Sequence, residues 1–366
     1  MSLSRKQCNE LKGLAIIGIV LHNFLHQTRF GFTTQNESSF DIGRTQEFLG
    51  RVFQEGFWNS LGEIFSFLGW IGVPVFVFLS GYGLVKKYEQ GPAPLNVKNY
   101  LKHSWLKLFL LMLPGVLFCA LFNQFMGLGG LHTHIRYAIY LSLLGNFVGI
   151  DTMTPSIYWY FGLTFELYLV YLFLHRFRSK RVLLICMAVP LVLQLGLLAF
   201  GQDSLVHFNL RNFIGWLPVF GAGIYLGRQE GTYAEIPEKP ARRWLYLLLL
   251  VLSSGVIVLC NLSPWSWVFI HFAILLFFYS LIKVFEGLTP ANSLFAFIGS
   301  YAAFVFACHP IARIIINECH LGSHGLSPGL ELILYIILVI ALAPLYKFIV
   351  VKLTRLISRI NAGSQA

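Results

Sequence analysis

Ten apolar stretches, joined by mostly short polar segments, govern what this chain can become: residues 10–27, 64–85, 100–122, 157–174, 182–200, 212–227, 244–260, 265–282, 294–316 and 329–350. Each is near the roughly 17–25 residues that carry a helix across a hydrocarbon core. Within that core a helix closes its own backbone hydrogen bonds, which water cannot do there. Composition agrees, since 56% of residues are hydrophobic and 12% charged, with mean hydropathy +0.68, against about 25% charged in soluble domains. The expected fold is all-α and polytopic: about ten transmembrane helices forming a single domain over residues 1–366, with no appended soluble domain. The first stretch is expected to persist as a helix, because Gln27, Thr28 and Arg29 follow it and no small-residue cleavage site does.

Basic residues test the map, because Lys and Arg concentrate on the cytoplasmic side of membrane spans. With both termini cytoplasmic, the inner side carries Arg5, Lys6, Lys12, Lys86, Lys87, Lys98, Lys102, Lys107, Arg176, Arg178, Lys180, Arg181, Arg228, Lys239, Arg242, Arg243, Lys283, Lys347, Lys352, Arg355 and Arg359, which are 21 of the 27 basic residues. Only Arg29, Arg44, Arg51, Arg136, Arg211 and Arg313 remain outside, and every lysine falls inside. The net charge of +11 thus gathers at the ends of apolar segments rather than on an aromatic-interleaved face, a pattern that argues against nucleic-acid binding.

Residues 134–150 resist this count, since a further crossing there would place Arg176, Arg178, Lys180 and Arg181 outside. They are expected to form a short interfacial or re-entrant helix carrying Arg136, tolerable at membrane depth where it packs on protein or lines a cavity. Six scattered cysteines (Cys8, Cys119, Cys186, Cys260, Cys308, Cys319) lack framework or metal spacing and read as small apolar residues. The external loop 28–57 contains Glu37, Asp41, Arg44, Glu47, Arg51 and Glu55, and is a lid, an acceptor platform or a solvated loop.

The chemistry should lie with polar residues inside the spans, because ionisable groups in hydrocarbon are costly and generally face a cavity, a partner or a substrate path. His22 and His26 share one helix face, and Lys12 lies ten residues before His22, about 15 Å along the axis. Glu166 lies within Trp159 to Tyr168 at a depth where a carboxylate must be protonated, paired or wet. It either ties helices together or orients a catalytic histidine. His309 precedes Pro310 and either serves helix packing at the proline or acts at the site. Ser80-Gly81-Tyr82 permits close approach of a helix or of a ligand's chain. Lys102 and Lys107 are snorkelling cations or contacts for an anionic donor. His22 and His26 have no third ligand at short spacing, so no metal site is expected.

In order along the chain, these motifs resemble the acyltransferase-3 family of integral membrane acyltransferases. Lys12-Gly13-Leu14-Ala15 to His22 is similar to the family's basic residue, glycine, apolar run and essential histidine. In the commonest family spacing that histidine would fall at Asn23, one residue later. Val75-Phe76-Val77-Phe78-Leu79-Ser80-Gly81-Tyr82 resembles the Phe-Phe-x-x-Ser-Gly block, Trp159 to Tyr168 the Trp-plus-acidic helix, Phe220-Gly221-Ala222-Gly223 the Phe-x-x-Gly turn, and Ser300-Tyr301 to His309-Pro310 the late Ser-Tyr…His block. The usual Arg-x-x-Arg-x-x-Pro segment is replaced by Lys102, His103 and Lys107, with Pro114 displaced.

The resemblance implies transfer of an acyl group, most often acetyl, from cytoplasmic acyl-coenzyme A to a sugar hydroxyl of a cell-surface or exported glycan. His22 would be the base, with His26 or Glu166 orienting it. Lys12, Lys102 and Lys107 would attract the donor's phosphates, while its pantetheine arm passes Ser80 and Tyr82. Asn23, Trp159, His309 and Arg136 would face the acceptor. In a bacterium the compartment would be the cytoplasmic membrane. The competing expectation is a glycan or lipid-linked sugar transporter using the same polar residues, though such proteins often show duplicated halves. A proton relay through His22, His26 and Glu166 is a third.

Overall fold

A computed structural model of the protein describes residues 3–27, 30–38, 40–54, 56–92, 94–128, 130–148, 156–229, 243–286, 289–318 and 327–363. Arg29, Glu55, Lys239, Arg242, Cys319 and the end of the 134–150 segment lie outside them. The described residues are 85% helical, with no strand among them.

Helix α1 (Arg5–Leu25) begins at a capping box, in which the Ser4 hydroxyl accepts from Gln7 N–H and the Gln7 side chain accepts from Ser4 N–H. Two otherwise orphaned donors are thereby satisfied. Between α1 and the second apolar stretch, Asp41 caps α2 (Ile42–Arg51). The second apolar stretch starts earlier than its hydropathy marks, as α3 (Phe57–Leu68), tightens into a 3-10 turn at Gly69–Ile71, and continues as α4 (Gly72–Tyr88). There follow α5 (Val97–Phe125), α6 (Leu131–Leu141), α7 (Gly145–Val148) and α8 (Trp159–Phe177). Next come α9 (Lys180–Ala199), α10 (Asp203–Asn209), α11 (Phe213–Gln229) and α12 (Arg243–Cys260). The chain closes with α13 (Pro264–Trp267), α14 (Ile270–Phe285), α15 (Thr289–Glu318) and α16 (Pro328–Gly363).

All ten apolar stretches coincide with helix, and among the described residues seven segments are long and apolar enough to cross a membrane: α1, α3 with α4, α5, α9, α12, α15 and α16. Helices α8, α11 and α14 hold the other three positions with 19, 17 and 16 residues. The 11 residues of α6, which carries Arg136, extend only about 16 Å, too short to cross a core of about 30 Å.

The chain forms two compact units, one of residues 1–95 with 167–300 and one of residues 96–166 with 301–366. In the first, small residues bring backbones together. A Cβ added to Gly81 would strike the Phe220 carbonyl, and one on Gly223 would strike that of Phe78, so α4 and α11 meet at glycine on both sides. At one end of this pair Arg228 forms a fork with Glu89, its Nε and Nη2 each 2.8 Å from a carboxylate oxygen, and Nη2 also donates to the Leu174 carbonyl. The Tyr171 hydroxyl donates to the same carboxylate and to the Leu84 carbonyl. Glu89 and Arg228 side chains are 8% and 15% exposed, and removing one partner of a buried pair typically costs about 3–5 kcal/mol. Glu89→Ala should therefore lower the thermal unfolding midpoint sharply, whereas an unchanged midpoint would make the fork energetically idle.

In the second unit the break at Pro114 is repaired from outside α5. The Tyr346 hydroxyl of α16 accepts from Gly115 N–H at 3.1 Å and donates to the Leu111 carbonyl at 2.6 Å, standing between the two groups of one helical hydrogen bond. A neighbouring helix thus satisfies backbone groups that would otherwise be exposed in hydrocarbon. The Tyr158 hydroxyl donates to the Ala307 carbonyl at 2.6 Å, tying the start of α8 to α15 within this unit.

Candidate active site

Of the residues singled out from sequence, the structure unites His22 and His26. Their rings lie 4.7 Å apart at the end of α1, with His22 buried and His26 half-buried as the C-cap. His22 Nδ1 stands 3.3 Å from the Phe65 carbonyl of α3. A carbonyl oxygen only accepts, so in the neutral ring Nδ1 carries the proton and the basic lone pair is on Nε2. A backbone group of α3 therefore sets the tautomer.

That contact depends on how closely α1 approaches the 3-10 turn. A Cβ on Gly69 would lie 2.5 Å from His22 Cβ and 2.6 Å from the Gly18 carbonyl, and one on Gly72 would strike the Ala15 carbonyl. The glycine before Trp70 is thus the seat of the His22 side chain. At the other end of α1, a Cβ on Gly13 would strike the Phe295 carbonyl of α15, within the same unit. Lys12, next to it, is half-buried.

Other first-unit residues have structural engagements. Asn23 Nδ2 donates to the Ile19 carbonyl one turn back, and the Ser80 hydroxyl to that of Phe76. The Tyr82 hydroxyl accepts from Leu3 N–H and donates to the Leu3 carbonyl, pinning the chain just before α1 to α4.

Glu166 belongs to the second unit, where Asn146 Nδ2 donates to its carboxylate and to the Trp159 carbonyl, both at 3.0 Å. A Cβ on Gly162 would press on the same Asn146 amide. His309, fully buried, places Nδ1 3.2 Å from the Val305 carbonyl one turn back, and its Nε2 has no hydrogen-bond partner among the described residues. Lys102 and Lys107 are exposed near the start of α5, and Arg136 is half-buried on α6.

Two groups of residues escaped sequence reasoning. One is an aromatic cluster beside the turn that seats His22: Trp70, Trp267 and His271 lie with ring centroids 6.2–6.5 Å apart, and Trp216 is 4.8 Å from His271. All four are buried, yet Trp70 Nε1, Trp267 Nε1 and His271 Nε2 have no hydrogen-bond partner among the described residues. The signal available was a run of tryptophans near the same ends of their spans. The other group holds the loop that follows α1. Glu63, fully buried on α3, accepts from Thr33 N–H at 2.9 Å and faces Arg51 Nη2 at 3.1 Å, while Arg51 Nη1 donates to the Gly31 carbonyl. Phe40 lies 6.1 Å from Trp267, Gln35 is fully buried, and burial pushes the Glu37 carboxyl up despite the Arg211 charge. One side of this loop, with Thr33, Gln35, Ser38, Thr45, Phe48 and Val52, is buried, while Ile42, Leu49 and Phe53 stand exposed.

Among the described residues no three His, Cys, Asp or Glu side chains gather as metal ligands. The site therefore offers a buried imidazole of defined tautomer beside a second imidazole. Such a group can take a proton from a hydroxyl. Comparison with curated proteins and with solved structures gives no match. Residues 9–347 match the family described as an acyltransferase domain. Since that match spans nearly the whole chain, the protein belongs to the acyltransferase-3 family and is a membrane acyltransferase.

Proposed function

We propose that the protein transfers an acyl group, most often acetyl, from cytoplasmic acyl-coenzyme A to a sugar hydroxyl of a cell-surface or exported glycan. The observation that carries this reading is the contact of His22 Nδ1 with the Phe65 carbonyl, because it leaves Nε2 as the base. A sugar hydroxyl is a weak nucleophile at neutral pH, and an imidazole can remove its proton as the oxygen attacks. The hydroxyl oxygen bonds to the thioester carbon, Nε2 takes the hydroxyl proton, and the carbon–sulfur bond breaks. The departing thiolate then recovers that proton from the imidazolium.

Other assignments follow the same logic. His26, its ring tilted against that of His22 at 4.7 Å, holds the ring in place. Lys12, Lys102 and Lys107 attract the phosphates of the donor, and Ser80 and Tyr82 flank its pantetheine arm. Glu166, whose carboxylate accepts from Asn146, is the alternative to His26 as the group that orients the base, and Trp159, His309, Arg136 and Asn23 are assigned to the acceptor. Within the first unit, Trp70, Trp267 and His271, whose ring faces and nitrogens without partners among the described residues suit a ring bearing hydroxyls, are further candidates for acceptor contact. The proposed topology has ten crossings forming one catalytic domain, with both termini cytoplasmic, in the cytoplasmic membrane if the source is bacterial.

Donor binding separates this reading from a glycan transporter, which has no need of it. Equilibrium dialysis of the purified protein against labelled acetyl-coenzyme A should show saturable binding of one donor per chain, weakened at least tenfold in a Lys12→Gln, Lys102→Gln, Lys107→Gln triple variant. Absence of saturable binding would remove the donor assignment and favour the transporter.

A further inference from the structure

Helix α2 divides its side chains into three arcs. Thr45, Phe48 and the following Val52 are buried, the Phe48 ring lying nearly parallel to that of Phe67 on α3 with centroids 4.3 Å apart. Arg44, Glu47 and Arg51 form a polar arc that carries the Asp41–Arg44 and Glu47–Arg51 ion pairs. Ile42 and Leu49 form the third arc, since seven residues bring a helical side chain back to within about 20° of the first, and both are exposed. Phe53, just past the helix, is 89% exposed, and Phe57 and Trp58 at the start of α3 are 73% and 71% exposed. Exposed apolar side chains gathered so closely in the chain mark an interaction surface. Nothing in the transfer chemistry uses them.

Depth along the span says what covers this surface. The α3–α4 segment, residues 57–88, is long and apolar enough to cross a membrane, and its last turn carries Lys86 and Lys87. Phe67 precedes Lys86 by 19 residues, about 28 Å of helix at 1.5 Å per residue. It therefore stands at the far boundary of a hydrocarbon core about 30 Å thick. The contact of Phe48 with Phe67 holds α2 at that same depth. A helix face turned away from the protein there meets lipid. Ile64 and Phe57, two turns apart on α3, are exposed as well, so the apolar face of α2 continues that of the span.

We propose that α2 is an interfacial helix that docks on the lipid surface at the end of the span opposite Lys86 and Lys87. Ile42, Leu49 and Phe53 enter the boundary between headgroups and acyl chains, and Arg44 and Glu47 turn to headgroups and water. A helix with one apolar and one charged face occupies that plane. The inference rests on α3 with α4 crossing the bilayer and not on the role of His22. Its consequence nonetheless reaches the site. Arg51 Nη2 is 3.1 Å from Glu63 and Phe48 packs on Phe67, so the anchored helix grips α3 on both sides of Phe65, whose carbonyl faces His22.

The test replaces Leu49, Phe53 or Glu47 of the full-length protein, one at a time, with a photoreactive benzophenone amino acid and reconstitutes each variant in dioleoyl phosphatidylcholine vesicles. All three side chains are exposed, so the substitutions leave the core untouched. After illumination and proteolysis, mass spectrometry should find peptides carrying the mass of the lipid at positions 49 and 53, at least fivefold more than at position 47 on the polar arc. Equal lipid adducts at all three positions would overturn the proposal, because the face would then not distinguish lipid from water. So would the absence of lipid adducts at 49 and 53, with a cross-linked dimer there assigning the face to a second copy of the chain and a cross-link within one chain assigning it to the protein itself.

Discussion

Replacing His22 with Ala should lower acyl transfer by about 10²–10⁴-fold, the range that general acid–base catalysis supplies, while the protein still inserts and binds donor. The argument rests on what the side chain touches. His22 is 6% exposed, and its Nδ1 faces the Phe65 carbonyl. Without the imidazole the attacking hydroxyl keeps its proton. Donor binding measured on the same preparation should change little, because the ring is assigned to proton transfer and not to the phosphates. His26→Ala should cost less, since it removes a ring that packs against His22 at 4.7 Å and leaves the Phe65 contact intact. Comparable losses for the two single variants would instead mean that the pair acts as one unit, since residues acting together give non-additive kinetic effects. Activity retained in His22→Ala would sink the assignment.

The second large effect is expected from a residue with no side chain. Gly69→Ala places a Cβ 2.5 Å from His22 Cβ and 2.6 Å from the Gly18 carbonyl. Both neighbours belong to α1 and neither is the loose end of a flexible chain, so α1 must shift from the turn or the His22 ring must move. Misplacing a catalytic group by about 1 Å can cost about 10²-fold, so Gly69→Ala should approach the His22→Ala loss with the imidazole still present. Gly83→Ala is the matched control, because a Cβ there meets open space and the residue lies on the same α3–α4 segment. Full activity in both variants would show that α1 relaxes around the methyl group and that the turn does not seat His22.

These two effects show where sequence was informative and where it stopped. Long apolar runs were legible as helices because hydrocarbon leaves the backbone little alternative, and His22 and His26 were legible as a pair because residues four apart share a helix face. The Phe65 carbonyl was not, since every residue carries one and only the fold selects which faces an imidazole. Gly69 looked like one glycine among 33, and its role became evident only with His22 Cβ against it. The Ser80-Gly81 motif was visible, but its glycine serves the meeting of α4 with α11 at Phe220. Glu166 was conspicuous as a deep carboxylate, whereas its partner Asn146 lies in a stretch legible only as an interfacial or re-entrant helix. Trp70, Trp216, Trp267 and His271 come from three separate stretches of chain, so no local pattern announces that they form one cluster.

The measurement closest to the central claim is incorporation of label from radiolabelled acetyl-coenzyme A into glycan by membrane vesicles carrying either the native chain or His22→Ala, with equal protein inserted. The account predicts labelled glycan from the native chain and a loss of at least 10²-fold in the variant. Equal incorporation by both, or none by a native chain that also fails to bind donor, would contradict it.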